Sequence, residues 1–204
     1  MKMLLYSSYR ISEVHRAALA NLIGKPLESV SVAAVTNAAD TEKDSQDWVK
    51  ASVDALGCRA EIVDLRSGDT SDELRSRLSG KDLIWLCGGN QYYLRWILRE
   101  SGADEIICEL VGNGMVFAGW SAGAVVVGPT LQFMEHLEDL TVVPEVITDG
   151  LGLTDAVVLP HFDMEMFAEG MKRAQRSLDE AGFRTVPLLD SQALLIDGSN
   201  GRIV

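Results

Sequence analysis

The chain has 204 residues, 47% of them apolar and 24% charged, the balance expected of one folded domain spanning 1–204 around a single core. That balance argues against a largely disordered chain. A formal net charge of -12 repels phosphate backbones and makes nucleic acid a poor partner.

The N-terminal run Met3-Leu4-Leu5-Tyr6 reads as a first strand. It is too short for a signal peptide, and no later run reaches the length of a membrane span, so a cytoplasmic protein with no membrane partner is expected. Glu13 to Ile23 then carries apolar residues at helical spacing. Val30–Val35, Ala60–Leu65 and Leu83–Cys87 read as strands, separated by helices over Lys43–Leu56 and Asp72–Leu78. A further helix is expected over Tyr92–Arg99, followed by strands at Met115–Ala118 and Ala156–Leu159. Several of these strands are apolar at almost every position, as strands covered on both faces are. Glu165–Glu180 is a long helix ended by Gly182, Val186–Leu189 ends another strand, and Ala193–Ile196 with Arg202–Val204 forms a terminal hairpin. Strand and helix alternating in this way predict a mostly parallel sheet between helical layers.

Cys58, Cys87 and Cys108 are too few and too scattered for a disulfide framework, which suits a reducing compartment; Cys87 and Cys108 are expected as buried thiols.

Chemistry in such sheets gathers where strands run into helices. One such junction is Gly119-Trp120-Ser121-Ala122-Gly123 after the strand ending at Ala118. Glycines on both sides of a serine permit a sharp turn that lifts its Oγ out of the sheet, making Ser121 the candidate nucleophile. The N–H of Ala122 then faces a developing oxyanion, helped by a helix N-terminus. At the second junction, Gly88-Gly89-Asn90, paired glycines let a backbone N–H approach a bound carbonyl, and Asn90 suits a helix cap.

A nucleophilic serine needs a base, and the chain has three histidines. His15 is expected on the surface of the first helix and His136 in an acidic loop. His161 follows a strand and Pro160, on the edge where Ser121 emerges, and is the candidate base. A carboxylate orients such an imidazole. Asp190 is the candidate, at another strand end, with Glu135, Glu138, Asp139 and Asp163 as competitors. His161-x-Asp163-x-Glu165 lacks a second histidine at ligand spacing, so no metal site is expected.

Gly88-Gly89-Asn90, Gly119-Trp120-Ser121-Ala122-Gly123-Ala124 and Pro160-His161-Phe162, in that order and spacing, resemble the S51 serine peptidases, the family of aspartyl dipeptidase and cyanophycinase. The resemblance runs over nearly the whole chain. It implies a flavodoxin-like three-layer α/β/α sandwich akin to class I glutamine amidotransferases. It also implies Ser121 as nucleophile, His161 as base and an oxyanion hole from the N–H groups of Gly89 and Ala122. The family's third member stands either near the strand after the last long helix, which Asp190 matches, or between serine and histidine, where Glu135 and Asp139 lie. Asn90 and Arg173 are the implied substrate-binding residues, Arg173 matching an arginine that recognises an N-terminal aspartate. The segment after His161 is shorter and more apolar than in aspartyl dipeptidase.

The expected activity is therefore hydrolysis of dipeptides or short peptides through an acyl-enzyme, without metal or organic cofactor. Two alternatives stand beside it: an α/β-hydrolase esterase, whose chain order is serine, acid, histidine, and a non-catalytic binding protein on the same sandwich.

Overall fold

A computed structural model describes all 204 residues, Met1–Val204. In chain order the strands and helices are β1 (Lys2–Tyr6), α1 (Glu13–Ile23), β2 (Ser31–Val35), α2 (Ser45–Ala55), β3 (Arg59–Ile62) and α3 (Ser71–Ser79). They continue with β4 (Leu83–Leu86), α4 (Gln91–Glu100), α5 (Ala103–Gly112), β5 (Val116–Trp120), α6 (Ala122–Val125) and β6 (Ala156–Leu159). The chain ends with α7 (Glu165–Glu180), β7 (Arg184–Pro187), β8 (Ala193–Asp197) and β9 (Asn200–Ile203).

Seven strands form one sheet in the order β3-β2-β4-β5-β1-β8-β9. The first five run parallel, and the terminal hairpin adds β8 and β9 antiparallel to β1. With helices on its faces this is a flavodoxin-like α/β/α sandwich, as expected. Composition sorts the strands by position. Every residue of β2 after Ser31, and all of β4 and β5, is buried, whereas the edges β3 and β9 carry Arg59, Glu61 and Arg202 and stay largely exposed. Charged edge strands resist pairing with another sheet.

Two features depart from the sequence reading. β6 and β7 pair with each other, parallel, in a separate two-stranded sheet. Val157 and Leu159 of β6 join a second buried cluster with Met171, Ala174 and Leu178 of α7 and with Leu131 and Met134, while Ala156 and Val158 of β6 and Val186 of β7 belong to the main core. Secondly, α5 was not anticipated. It starts after Gly102, whose φ of 72° ends the preceding turn, and buries Ala103, Ile106, Ile107 and Val111 at helical spacing.

Local chemistry sets the helix boundaries. Ser12 caps α1 by accepting the His15 N–H, Thr70 and Glu73 form a reciprocal capping box on α3, and Asn90 caps α4 through the N–H groups of Tyr92 and Tyr93. The parallel strands point their C-terminal ends at one edge. Ser7 follows β1, Gly88 and Gly89 follow β4, and Ser121 follows β5; His161 and Asp190 follow β6 and β7. The fold thus gathers the polar junctions at one place. No helix is long and apolar enough to cross a membrane.

Candidate active site

Ser121 sits at φ 48° and ψ -118°, a backbone conformation that costs on the order of 1–3 kcal/mol for a residue with a side chain. The surrounding packing enforces it. A Cβ on Gly119 would lie 2.5 Å from the Gly123 carbonyl oxygen, and one on Gly123 would lie 2.3 Å from that of Leu86. The turn is therefore clamped against β4, and only glycine permits that approach. The Ser121 N–H donates to the Tyr6 carbonyl at 3.1 Å, fixing the turn to the end of β1 as well.

His161 also has positive φ, 57°, directly after Pro160. Continued pairing beyond β6 and β7 brings it level with Asp190: Leu188 N–H donates to Leu159, and Phe162 N–H donates to Leu188. The result is a continuous hydrogen-bonded chain. Ser121 Oγ lies 3.0 Å from His161 Nε2, and His161 Nδ1 lies 2.6 Å from Asp190 Oδ1. With Asp190 ionised, Nδ1 carries the proton and Nε2 is free to accept from Ser121.

Two further residues hold Asp190 and His161 in place, a role the sequence assigned to neither. Ser7 Oγ donates to Asp190 Oδ1 at 3.1 Å and accepts the His161 backbone N–H at 2.7 Å. Asp163, weighed as a competitor for the third position, accepts the Asp190 N–H at 2.8 Å. Phe167 packs beside the imidazole, with ring centroids 5.3 Å apart.

The other expected residues divide. Ala122 is the first residue of α6, so its N–H has no intrahelical acceptor. α6 is only four residues long, so that N–H acts as a single donor with little macrodipole behind it. Gly89 lines the same cavity as Ser121, and its φ of 134° and its approach to the Ala38 carbonyl admit no side chain.

Asn90 is not brought to the cavity as a substrate contact. It is 1% exposed; its Oδ1 caps α4, and its Nδ2 donates to the Asp139 carbonyl at 3.0 Å. Its amide thus caps α4 with the oxygen and holds the loop that carries Leu137, Glu138 and Asp139 with the nitrogen. Arg173 is exposed on α7 and lines neither cavity at the site, whereas Phe167 and Met171 of the same helix do. Two positions beyond Met171, Arg173 points about 200° round the helix from that face.

The remaining carboxylate candidates lie apart from the imidazole's two partners. Asp139 accepts from the N–H and hydroxyl of Thr141, which holds its carboxyl below the usual range. Glu135 belongs to the short turn Glu135–Leu137. His136 contacts the Gly170 carbonyl from that turn. His15 is buried rather than on the surface, 2% exposed and 3.3 Å from the Val204 carbonyl oxygen, and burial lowers its pKa. Cys87 is buried, and burial pushes its thiol up to about 12; Cys108 is only half-buried.

Two cavities meet at His161 and Phe167. One, of about 570 Å³, borders His161 and Asp190 and includes Arg10, whose guanidinium lies 5.4 Å from the Tyr9 ring centroid. The other, of about 360 Å³, borders Ser121, Gly89 and Trp120.

This is the arrangement of a Ser–His–Asp hydrolase site set at the strand ends of an α/β/α sandwich. The sequence model of Peptidase family S51 matches residues 3–204, and the chain belongs to that family of serine-type peptidases. An uncharacterised peptidase of Listeria monocytogenes is 30% identical over 59% of this chain, a match that spans 58% of the relative. Peptidase E of a Nostoc species is 24% identical over 99% of this chain and 84% of its own length. The fold matches a crystal structure of a candidate peptidase E protein from Listeria monocytogenes EGD-e with a TM-score of 0.84, covering 100% of this chain and 97% of that one at 23% identity.

Proposed function

We propose that this chain is a serine peptidase that hydrolyses dipeptides or short peptides through an acyl-enzyme on Ser121. The observation that carries the reading is the hydrogen-bonded run from Ser121 Oγ through His161 to Asp190, 3.0 Å and 2.6 Å long. Ser121 Oγ attacks the scissile carbonyl carbon as its proton passes to His161 Nε2. The charge that develops on the carbonyl oxygen is met by the N–H groups of Gly89 and Ala122, and the imidazolium by Asp190. His161 then returns the proton to the leaving nitrogen, the C–N bond breaks, and an amino acid or peptide departs. Water adds to the acyl carbon with the same base removing its proton, and Ser121 leaves as the hydroxyl.

The leaving nitrogen must stand beside His161, so the departing residue lies toward the cavity bordered by His161 and Asp190. Arg10 is the one cationic side chain lining that cavity, and it suits the carboxylate of a departing C-terminal residue. Chain order supports a peptidase over an α/β-hydrolase esterase, because Asp190 follows His161 rather than preceding it.

The test is labelling of the purified chain with a fluorophosphonate, alongside dipeptide hydrolysis, for wild type and Ser121→Ala. The expected result is labelling at Ser121 and a loss of turnover on the order of a millionfold in the variant. Undiminished turnover by Ser121→Ala, or a wild-type chain that neither labels nor hydrolyses, overturns the proposal.

A further inference from the structure

The cavity beside Ser121 and Gly89 has a charge of one sign. Glu42, Glu138 and Asp139 line it, and no lysine or arginine does. An ionised side chain of a bound N-terminal aspartate would face three carboxyl groups with no cation among them, and the arginine expected to receive it, Arg173, lies elsewhere. Two residues that line the same cavity carry donors in need of an acceptor. Gln91 Nε2 is buried without a hydrogen-bond partner, in a residue only 4% exposed, and Trp120 Nε1 is likewise unpartnered. Each buried N–H left unpaired costs about 1–3 kcal/mol, so a neutral oxygen brought to it is favoured.

We propose that this cavity is the subsite for the acyl-side residue, and that it takes a residue with a free α-ammonium and an uncharged, hydrogen-bond-accepting side chain. Glu138 receives the ammonium, and Gln91 Nε2 donates to the side-chain oxygen. This rests on the peptidase reading above, which puts the leaving residue on the His161 and Asp190 side and so leaves the acyl residue on the side of Gly89 and Trp120. The volume, about 360 Å³, is at the small end of ligand sites and suits one residue rather than an extended peptide. Burial, reinforced by the neighbouring Glu42, pushes the Glu138 carboxyl up to about 8. An ammonium beside it reverses that preference and draws the proton off, so the carboxylate forms where the substrate charge needs it.

Asparagine and aspartate are the isosteric pair that separates the two possibilities. The experiment measures kcat/KM of the wild-type chain for Asn-Leu, Asp-Leu and N-acetyl-Asn-Leu by leucine release, with fluorophosphonate labelling of Ser121 run in parallel. Asn-Leu is expected to exceed both others by about tenfold or more, a difference of about 1.4 kcal/mol. Glu138→Gln is expected to raise KM for Asn-Leu and shrink its advantage over the N-acetyl peptide, while Glu138→Asp keeps part of it. Equal or better hydrolysis of Asp-Leu, or equal use of free and acetylated peptides, overturns the subsite while labelling at Ser121 leaves the peptidase reading standing. Absence of both labelling and hydrolysis overturns the two together.

Discussion

The backbone N–H of His161 donates to Ser7 Oγ across 2.7 Å, joining residues 154 positions apart in the chain. That single contact ties the end of β1 to the end of β6, which belong to different sheets. Because Ser7 Oγ also donates to Asp190 Oδ1, one hydroxyl positions both the ring and the carboxylate that orients it.

Ser7→Ala is therefore expected to act through His161 rather than on substrate. It leaves the His161 N–H without its acceptor and Asp190 with one donor fewer, at about 1–3 kcal/mol of stability. The loosened imidazole is expected to lower kcat on the order of tenfold, because small misplacements of a reacting group are costly, while KM changes little. Steady-state kinetics at a temperature well below the variant's melting point checks this. A change in KM alone would assign Ser7 to substrate binding.

Asp190→Asn tests the third position. An amide in place of the carboxylate cannot stabilise the imidazolium and favours the wrong tautomer, so kcat is expected to fall roughly a thousandfold or more. Glu135→Gln and Asp139→Asn are expected to cost far less, since His161 has Asp190 and Ser121 as its ring partners. Measuring all three variants ranks them; a larger loss at Asp139 or Glu135 would move the acid to the loop between Ser121 and His161.

The sequence made the junctions legible but not the connections between them. β1, β2, β4 and β5 are runs of apolar residues buried on both faces, so their ends, and Ser121 among them, could be placed from composition alone. The meeting of His161 with Asp190 followed from the same logic, since each ends a strand. The separate pairing of β6 with β7 was hidden, because an apolar run does not say which sheet it joins. His15 misled because Arg16 beside it is charged, yet position 15 falls on the inward face with Leu19 and Leu22 at i+4 and i+7. Asn90 gave a correct cap and a wrong contact: its second amide atom reaches the Asp139 carbonyl 49 residues on, a partner no local pattern announces. Ser7 and Gln91 escaped notice for the same reason, being ordinary polar residues until the fold surrounds them, and Glu138 stood out only as a competitor for the orienting carboxylate.

Glu138 also makes a prediction about stability that does not depend on catalysis. Its carboxyl is raised from an ordinary 4.5 to about 8, first by burial and then by Glu42, with the Gln91 backbone N–H offsetting part of this. Between those two values the native protein holds a proton at this site that the unfolded chain has released. Stability attributable to Glu138 is then fully present below about 4.5, is lost progressively as pH rises, and levels off above about 8. Glu138→Gln, which fills the same space without titrating, removes that dependence. Thermal melts of both proteins from pH 5 to pH 9 are expected to show the variant gaining on wild type up to about pH 8 and holding a constant lead beyond it. Contributions from groups that titrate alike in both proteins cancel in the difference, so a difference that stays flat across the window would mean that Glu138 is ionised in the folded protein at neutral pH.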